Sequence, residues 1–221
     1  MIEQWDDMVF WNSGEHQVVQ EHLNDLRKAR KVFNPSQENL YAALDAVPFD
    51  KVKVAIIGQD PYPDHHLSTG IAFDIPSGVK IFPPTLENLF REYCDDLQHP
   101  FPKSGSLKKW CDEGVLLWNV IPSCEAGKPK SHYGWIEWGF LNREIFRNLS
   151  ERGIVFAFLG GVAREYVKFV DDKTNVILET SHPSPRGNLN SRVPFLGSRL
   201  FSTINDKLVN TMNMTAINWK L

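Results

Sequence analysis

Nothing in the chain approaches the run of about 18 apolar residues that carries a helix across a membrane. The opening "MIEQWDD" turns acidic at its third residue, so neither a secretory signal nor a cationic transit peptide is expected. Cysteine is scarce. Cys94, Cys111 and Cys124 are an odd set without close spacing, which argues against a disulfide scaffold and for a reducing compartment inside the cell. Buried small side chains are the expected role of all three. An excess of positive charge is also missing: the formal net charge of −3 disfavours a non-specific polyanion binder. Its distribution softens that exclusion, because residues 1–50 hold nine acids against four bases while the other 171 hold eighteen against twenty. The body is mildly basic, which permits a small local footprint on nucleic acid. There is no internal repeat, low-complexity tract or linker. A length of 221 residues and 42% apolar content predict a single globular domain, residues 1–221, with residues 1–50 an acidic and mainly helical region.

What the chain does have is a heavy aromatic load and an alternating pattern. Seven tryptophans and fourteen phenylalanines belong mostly in a core, where large rings remove the most apolar area from water. Residues 15–32 read as an amphipathic helix with Val18, Val19, Leu23 and Leu26 near one face, and "RKARK" (27–31) as its solvated face. "NPSQENLYAALDAV" restarts a helix that Ser36 can cap. Four short apolar runs follow: "VKVAIIG" (52–58), "GVLLWNVI" (114–121), "IVFAFLG" (154–160) and "NVILETS" (175–181). Helical patterns around 85–97, 134–149 and 161–170 separate them. Continuous apolar strands joined by long connections predict an α/β fold, a mostly parallel sheet flanked by helices on both faces. Ligands in that class bind beyond the carboxyl ends of the strands. Three unusual sequences sit there: "GQDPYPDHH", "NVIPSCEAGKPKSH" and "SHPSPRGN".

In "GQDPY", Gly58 permits a sharp exit from the strand, Gln59 offers a backbone amide and Pro61 stiffens the turn that holds Asp60. A fixed carboxylate there stabilises a cation or orients a water; the plainer reading is an acid satisfying turn amides. Tyr62 and Phe73 favour the first, since flat rings near the acid line a slot. Asp60 with Asp64, His65 and His66 raises a metal, yet adjacent histidines coordinate one ion poorly and no HExxH spacing exists. His182 stands just past the fourth run, placed to face developing negative charge. Ser184 and Arg186 suit a phosphate-contacting loop. In "FPPT", Thr85 is a possible helix cap, leaving first-turn amides for an anion. Asn119 ends a buried strand, either tying down the adjoining loop or facing a planar heterocycle. A serine nucleophile is disfavoured, because no GxSxG is present, and "LGG" at 159–161 is too weak for a nucleotide loop.

Taken together, "GQDPYP", "GIAF", "FPPT", "GVLLWN", "KSH", "HPSP" and the late "INW" resemble the classical uracil-DNA glycosylase family, over roughly Phe33 to Trp219. The resemblance implies a three-layer fold with a four-stranded sheet, and metal-free and cofactor-free hydrolysis of the N-glycosidic bond of uracil in single- or double-stranded DNA. Under it, Asp60 positions the attacking water and stabilises the sugar cation. His182 and the Gln59 amide hold uracil O2, Asn119 reads the N3 and O4 edge, Phe73 stacks on the base, and Tyr62 excludes a thymine methyl. Pro84, Thr85, Ser184, Pro185 and Arg186 fall in the DNA-gripping loops. A monomer in the cytoplasm, or in a nucleus or host-cell interior for a eukaryotic or viral source, is expected; a DNA-mimicking protein inhibitor is a candidate partner, while sensitivity to one is not written in the sequence.

Two departures stand out. Pro63 replaces the family's usual histidine after "GQDPY", which predicts an active enzyme with altered loop rigidity. Arg186 replaces the leucine after "HPSP" that wedges into the duplex, which predicts relatively better work on single strands. The rivals are a glycosylase of relaxed specificity, against which Tyr62 and Asn119 argue, an impaired glycosylase-like module that only binds DNA or protein, and a metal-dependent hydrolase using Asp60 with His65 and His66, which loss of activity in chelator would reveal.

Overall fold

The four apolar runs form one parallel sheet. In the computed structural model residues 2–189 and 191–221 are described, so Met1 of the acidic opening lies outside the described residues. The strands in chain order are β1 (Phe33–Asn34), β2 (Val54–Gly58), β3 (Val115–Asn119), β4 (Cys124–Glu125), β5 (Val155–Leu159) and β6 (Val176–Thr180). The main sheet runs β3-β2-β5-β6, all parallel, and β1 and β4 make a separate antiparallel pair. β2, β3 and β5 are buried at every position, which accounts for their unbroken apolar sequence. The edge strand β6 is half-buried and exposes Glu179. Register sets Gly58 opposite Asn119 and Leu159 opposite Thr180, so all four strands end along one edge.

The helices are α1 (Val9–Asn12), α2 (Glu15–Lys28), α3 (Ala42–Ala46), α4 (Pro84–Leu97), α5 (Lys108–Asp112), α6 (Ile136–Ser150), α7 (Gly161–Arg164), α8 (Pro185–Leu189) and α9 (Leu200–Asp206). One group, α1, α2 and α6, packs together; α4 packs on α9 and α8, and α3 and α5 cover β3. The acidic N-terminal region is tied within itself and, through Glu144, to the body. Trp5 Nε1 donates to Val47 O (2.8 Å), and Glu144 of α6 accepts from the N–H groups of Val9 (2.9 Å) and Phe10 (2.7 Å). That carboxylate satisfies first-turn amides that a helix cannot satisfy itself.

Several expected boundaries differ. The helix from residue 15 stops at Lys28, and Arg30 takes a left-handed φ of 56°, so the basic run is part helix and part turn. Arg27 stacks over the Phe33 ring (5.3 Å) and Lys28 pairs with Asp25 (2.8 Å), as a solvated face would. The next helix breaks into a 3₁₀ turn, Gln37–Asn39, and α3. Ser36 occupies the capping position without a side-chain bond. The Asn39 carbonyl there lies so close to Gly70 that even a Cβ would collide with it. The pattern at 161–170 likewise splits into α7 and a 3₁₀ turn, Val167–Phe169. Thr85 is not a cap: Pro83 caps α4, Pro84 is its first residue, and Thr85 lies inside the first turn. All three cysteines are free; Cys111 and Cys124 are buried and Cys94 partly so.

His132, on the loop between β4 and α6, is buried and stacked flat on Trp135 (4.0 Å, 9°), with Nδ1 2.8 Å from Ser123 Oγ. Burial pushes its pKa down to about 4. A histidine depressed in the fold lends stability above its unfolded pKa and loses it as pH falls towards the folded one. Between about pH 6.5 and 4 this residue should therefore cost the fold progressively, about 2 kcal/mol by pH 5. Urea denaturation at pH 7.5 and pH 5 measures it: a His132→Phe variant should lose distinctly less stability across that interval than the parent.

Candidate active site

The end of β2 has no room for a side chain. A Cβ on Gly58 would lie 2.5 Å from Asn119 Oδ1 and 2.9 Å from Phe73 Cζ, so glycine lets an amide and a ring converge above the strand. Pairing continues one step further, with Ile121 N–H donating to Gln59 O (2.9 Å). The chain then turns at Asp60. Gln59 Nε2 donates to Asp60 Oδ1 (2.7 Å) and the Lys130 N–H to Asp60 Oδ2 (2.7 Å). Burial raises the Asp60 pKa, while these two donors and the Lys130 charge pull it back. Of the two readings of Asp60, the structure supports a held carboxylate facing a cavity. One of its two bonds is to a neighbouring side chain and the other to a distant loop.

That cavity is about 110 Å³ and is lined by Asp60, Tyr62, Phe73, Thr85, Asn119 and His182, among others. Tyr62 Oη donates to Phe73 O (3.1 Å) and thereby braces a residue whose φ is 66°, a region non-glycine residues seldom adopt. The Phe73 ring leans on the His182 ring (5.9 Å, 44°). Asn119 is 8% exposed, and among the described residues its amide takes no hydrogen-bond partner. The loop after β3 is instead tied by Asn142, which accepts from Trp118 Nε1 (2.7 Å) and donates to Val120 O (2.7 Å). This favours a ligand for Asn119 over a structural tie.

His182 follows β6. Its Nδ1 accepts the Ser184 N–H (3.1 Å), so a neutral ring carries its proton on Nε2. Burial, and then the Lys130 charge, push its pKa down to about 4, which keeps it neutral near pH 7. The loop is pinned by residues that composition did not single out. Asn88 Nδ2, on the buried face of α4, donates to Pro183 O (2.7 Å), and Asn188 Nδ2 reaches the same oxygen (3.2 Å). Gly160 passes beneath, where a Cβ would lie 2.9 Å from His182 Cβ.

Gln59, Pro84, Ser184, Pro185 and Arg186 are not among the cavity-lining residues. Pro84 and Thr85 open α4, which packs on α8; Pro185 and Arg186 are exposed at the start of α8. Ser184 Oγ accepts the Gly187 N–H (3.3 Å). Two further residues were missed. Lys130 holds Asp60, and Asn34 donates to Tyr62 O (3.1 Å) and Pro63 O (2.8 Å). Asn34 Oδ1 lies 3.0 Å from His65 Nδ1, and Asp64 Oδ1 accepts the His66 N–H (2.9 Å). Among the described residues no three His, Cys, Asp or Glu side chains gather as a metal site. The only early signal for Asn88 was a polar residue amid a buried helix face, and for Asn34 there was none.

The Tyr62–Phe73 bond is open to a direct test. A Tyr62→Phe variant should unfold at lower urea, with stability reduced by about 1 kcal/mol or somewhat more, because a carbonyl beside the cavity loses its donor.

Residues 44–209 match the family model of the uracil DNA glycosylase superfamily. Similar proteins include the uracil-DNA glycosylase of Coxiella burnetii (strain CbuG_Q212), 38% identical over 207 residues, which span 93% of this chain and 88% of that one. Another is the uracil-DNA glycosylase of Limosilactobacillus reuteri (strain DSM 20016), 39% identical over 189 residues, or 85% of this chain and 80% of that one. Among solved structures, mimivirus uracil-DNA glycosylase aligns with a TM-score of 0.85 at 23% identity, covering 96% of this chain and 85% of that one, and its Y322F form has been solved in complex with UGI. At that identity the likeness speaks for the fold, a central parallel sheet flanked by helices. The bacterial relatives extend it to nearly the whole sequence, and the chain belongs to the uracil-DNA glycosylase superfamily.

Proposed function

We propose that the cavity at the carboxyl edge of the sheet takes a uracil base rotated out of DNA and that Asp60 and His182 act on it from opposite sides. The enzyme is a monofunctional uracil-DNA glycosylase: it hydrolyses the N-glycosidic bond of uracil in DNA and leaves free uracil and an abasic site. A stacked base has to leave the helix before an enclosed slot can receive it. Breaking the C1′–N1 bond sends the electron pair into the ring, so negative charge grows on uracil O2 while positive charge grows on the sugar. The ionised Asp60 carboxylate opposes the sugar cation and orients the water that adds to C1′. His182 Nε2–H donates to O2 together with the Gln59 N–H; as a neutral donor it needs no proton transfer at the moment of cleavage. Asn119 pairs with N3 and O4, and cytosine, with its exocyclic groups reversed, leaves that buried amide unpaired. Phe73 stacks on the base, and Tyr62 occupies the space of a 5-methyl group. The observation that carries this reading is the partnerless Asn119 amide set in one slot with a held carboxylate and a neutral histidine.

Pro84, Thr85, Ser184, Pro185 and Arg186 are assigned to the DNA strand around the slot. The same surface is our proposed docking place for a DNA-mimicking protein inhibitor. The single domain of residues 1–221, with its acidic N-terminal region, is proposed to act as a monomer inside the cell, in the cytoplasm or, for a eukaryotic or viral source, in the nucleus or host cell.

The decisive experiment is release of uracil from a single-stranded oligonucleotide bearing one uracil, with chelator present. The parent should release the base, and Asp60→Asn should slow release by about a hundredfold or more. A folded parent that binds the strand without releasing base would leave a glycosylase-like binding module.

Arg186 bears on strand preference. It is exposed on α8, and Leu189, three residues further on, is 80% exposed. An Arg186→Leu variant should cut uracil from duplexes faster relative to single strands than the parent does, since an apolar plug replaces a charge that has to be desolvated. Equal ratios for the two proteins would remove Arg186 from that role.

A further inference from the structure

The turn between β4 and α6 places one residue against the catalytic loop at an unusual backbone angle. Lys130 has φ of 60° although it is not glycine. Its surroundings hold it there: Tyr133 N–H donates to Lys130 O (2.9 Å), Ser131 N–H to Lys128 O (3.3 Å), and Glu125 N–H to Ser131 Oγ (2.6 Å). Left-handed backbone at a non-glycine residue is strained, and such strain persists where the surroundings over-determine it. Here it directs the Lys130 N–H to Asp60 Oδ2 at 2.7 Å. The side chain itself is exposed.

We infer that Lys130 is a positioning residue for the glycosidic cleavage, its main-chain N–H fixing the Asp60 carboxylate and its ammonium setting the field felt by both Asp60 and His182. The inference rests on the roles proposed above for those two residues. The positive charge lowers the pKa of Asp60 and of His182 alike. The same cation thus adds to the Gln59 and main-chain donors in favouring the ionised acid, and to burial in favouring the neutral histidine, the two states the proposed reaction needs.

The other groups near Asp60 do not supply this. Asp74 and Tyr62 share its cavity, and burial favours the uncharged form of each. Cys124, whose Sγ lies 3.8 Å from Pro61 O, is pushed up to about 12 and stays a thiol. Glu125, which ends β4 just before that turn, is paired with Lys31 (3.1 Å) and Lys128 (2.9 Å). His182 is the remaining partner and is neutral.

The test separates charge from backbone. Lys130→Asn and Lys130→Gly keep the N–H and accept a left-handed φ but carry no charge; Lys130→Arg keeps the charge. In the pH profile of kcat/KM, the acid limb should move to higher pH in the Asn and Gly variants, leaving about two- to threefold less activity on that limb, and stay in place in the Arg variant. The displacement should shrink at high salt, because the ammonium is exposed. Titration of the Asp60 carboxyl by ¹³C NMR, without substrate, should follow the same order. Asn and Gly variants whose limb and Asp60 titration match the parent, with only a raised KM, would reduce Lys130 to a DNA contact and overturn the inference. A parent that releases no uracil would defeat the proposed reaction, and the Asp60 titration would then decide the role of Lys130 alone.

Discussion

The proposed reaction requires a carboxylate to stay charged in a cavity where burial favours its neutral form, and the contacts around Asp60 meet that demand. Asp60 is held by one side-chain donor and one main-chain donor, each at 2.7 Å. Both strengthen the ionised form because a charged acceptor makes the stronger hydrogen bond. Neither donor would be useful if the loop carrying Asp60 could drift. It is tied from outside by Asn34, which grips the carbonyls of Tyr62 and Pro63, while the Gly127 N–H takes the Pro63 oxygen again (2.9 Å). The small β1–β4 pair thus serves the active site: it brings Asn34 and the turn with Gly127 to the same loop.

Parallel pairing does the coarse positioning. Because β2, β3, β5 and β6 share one direction, Gly58, Asn119, Leu159 and Thr180 close the same edge, and the segments that follow them meet there without any long-range instruction. The fine positioning comes from small residues. Gly58 lets the Asn119 amide and the Phe73 ring approach, and Gly160 lets His182 settle over the end of β5. These glycines stand where one segment passes over another, and a methyl group at either would displace a side chain assigned to the proposed reaction.

The parts that were legible in the sequence are those governed by period and punctuation. Strands with continuous apolar character were found to within one or two residues, and Asp60, Tyr62, Phe73, Asn119 and His182, read from loops after strands or from the family resemblance, line one cavity. What escaped depends on distance in the chain. Lys130 and Asp60 are 70 residues apart, and Asn88 lies 95 from Pro183, so nothing local announces either bond. The helix errors have a similar cause. Residues 36–47 have helical composition, yet the close approach of Gly70 to the Asn39 carbonyl interrupts them, a tertiary contact overriding propensity. Thr85 fails as a cap because Pro84 already starts the helix without needing an N–H partner.

Pro63 shows how a departure from the family can be absorbed. A histidine there would bring a ring with its own proton chemistry; proline brings only a carbonyl and a fixed φ. The structure uses the carbonyl. The carbonyl accepts from Asn34 and Gly127, and Asn34 in turn engages His65 two positions later at 3.0 Å. The imidazole next along the loop therefore sits in a brace behind the catalytic turn, outside the set that lines the cavity. Rigidity of the loop rests on Pro63, Asn34 and His65, whereas the chemistry proposed for the slot is assigned to Asp60 and His182. With proline at position 63 the loop still holds Asp60 in a fixed place, because the brace depends only on donors that reach the Tyr62 and Pro63 carbonyls.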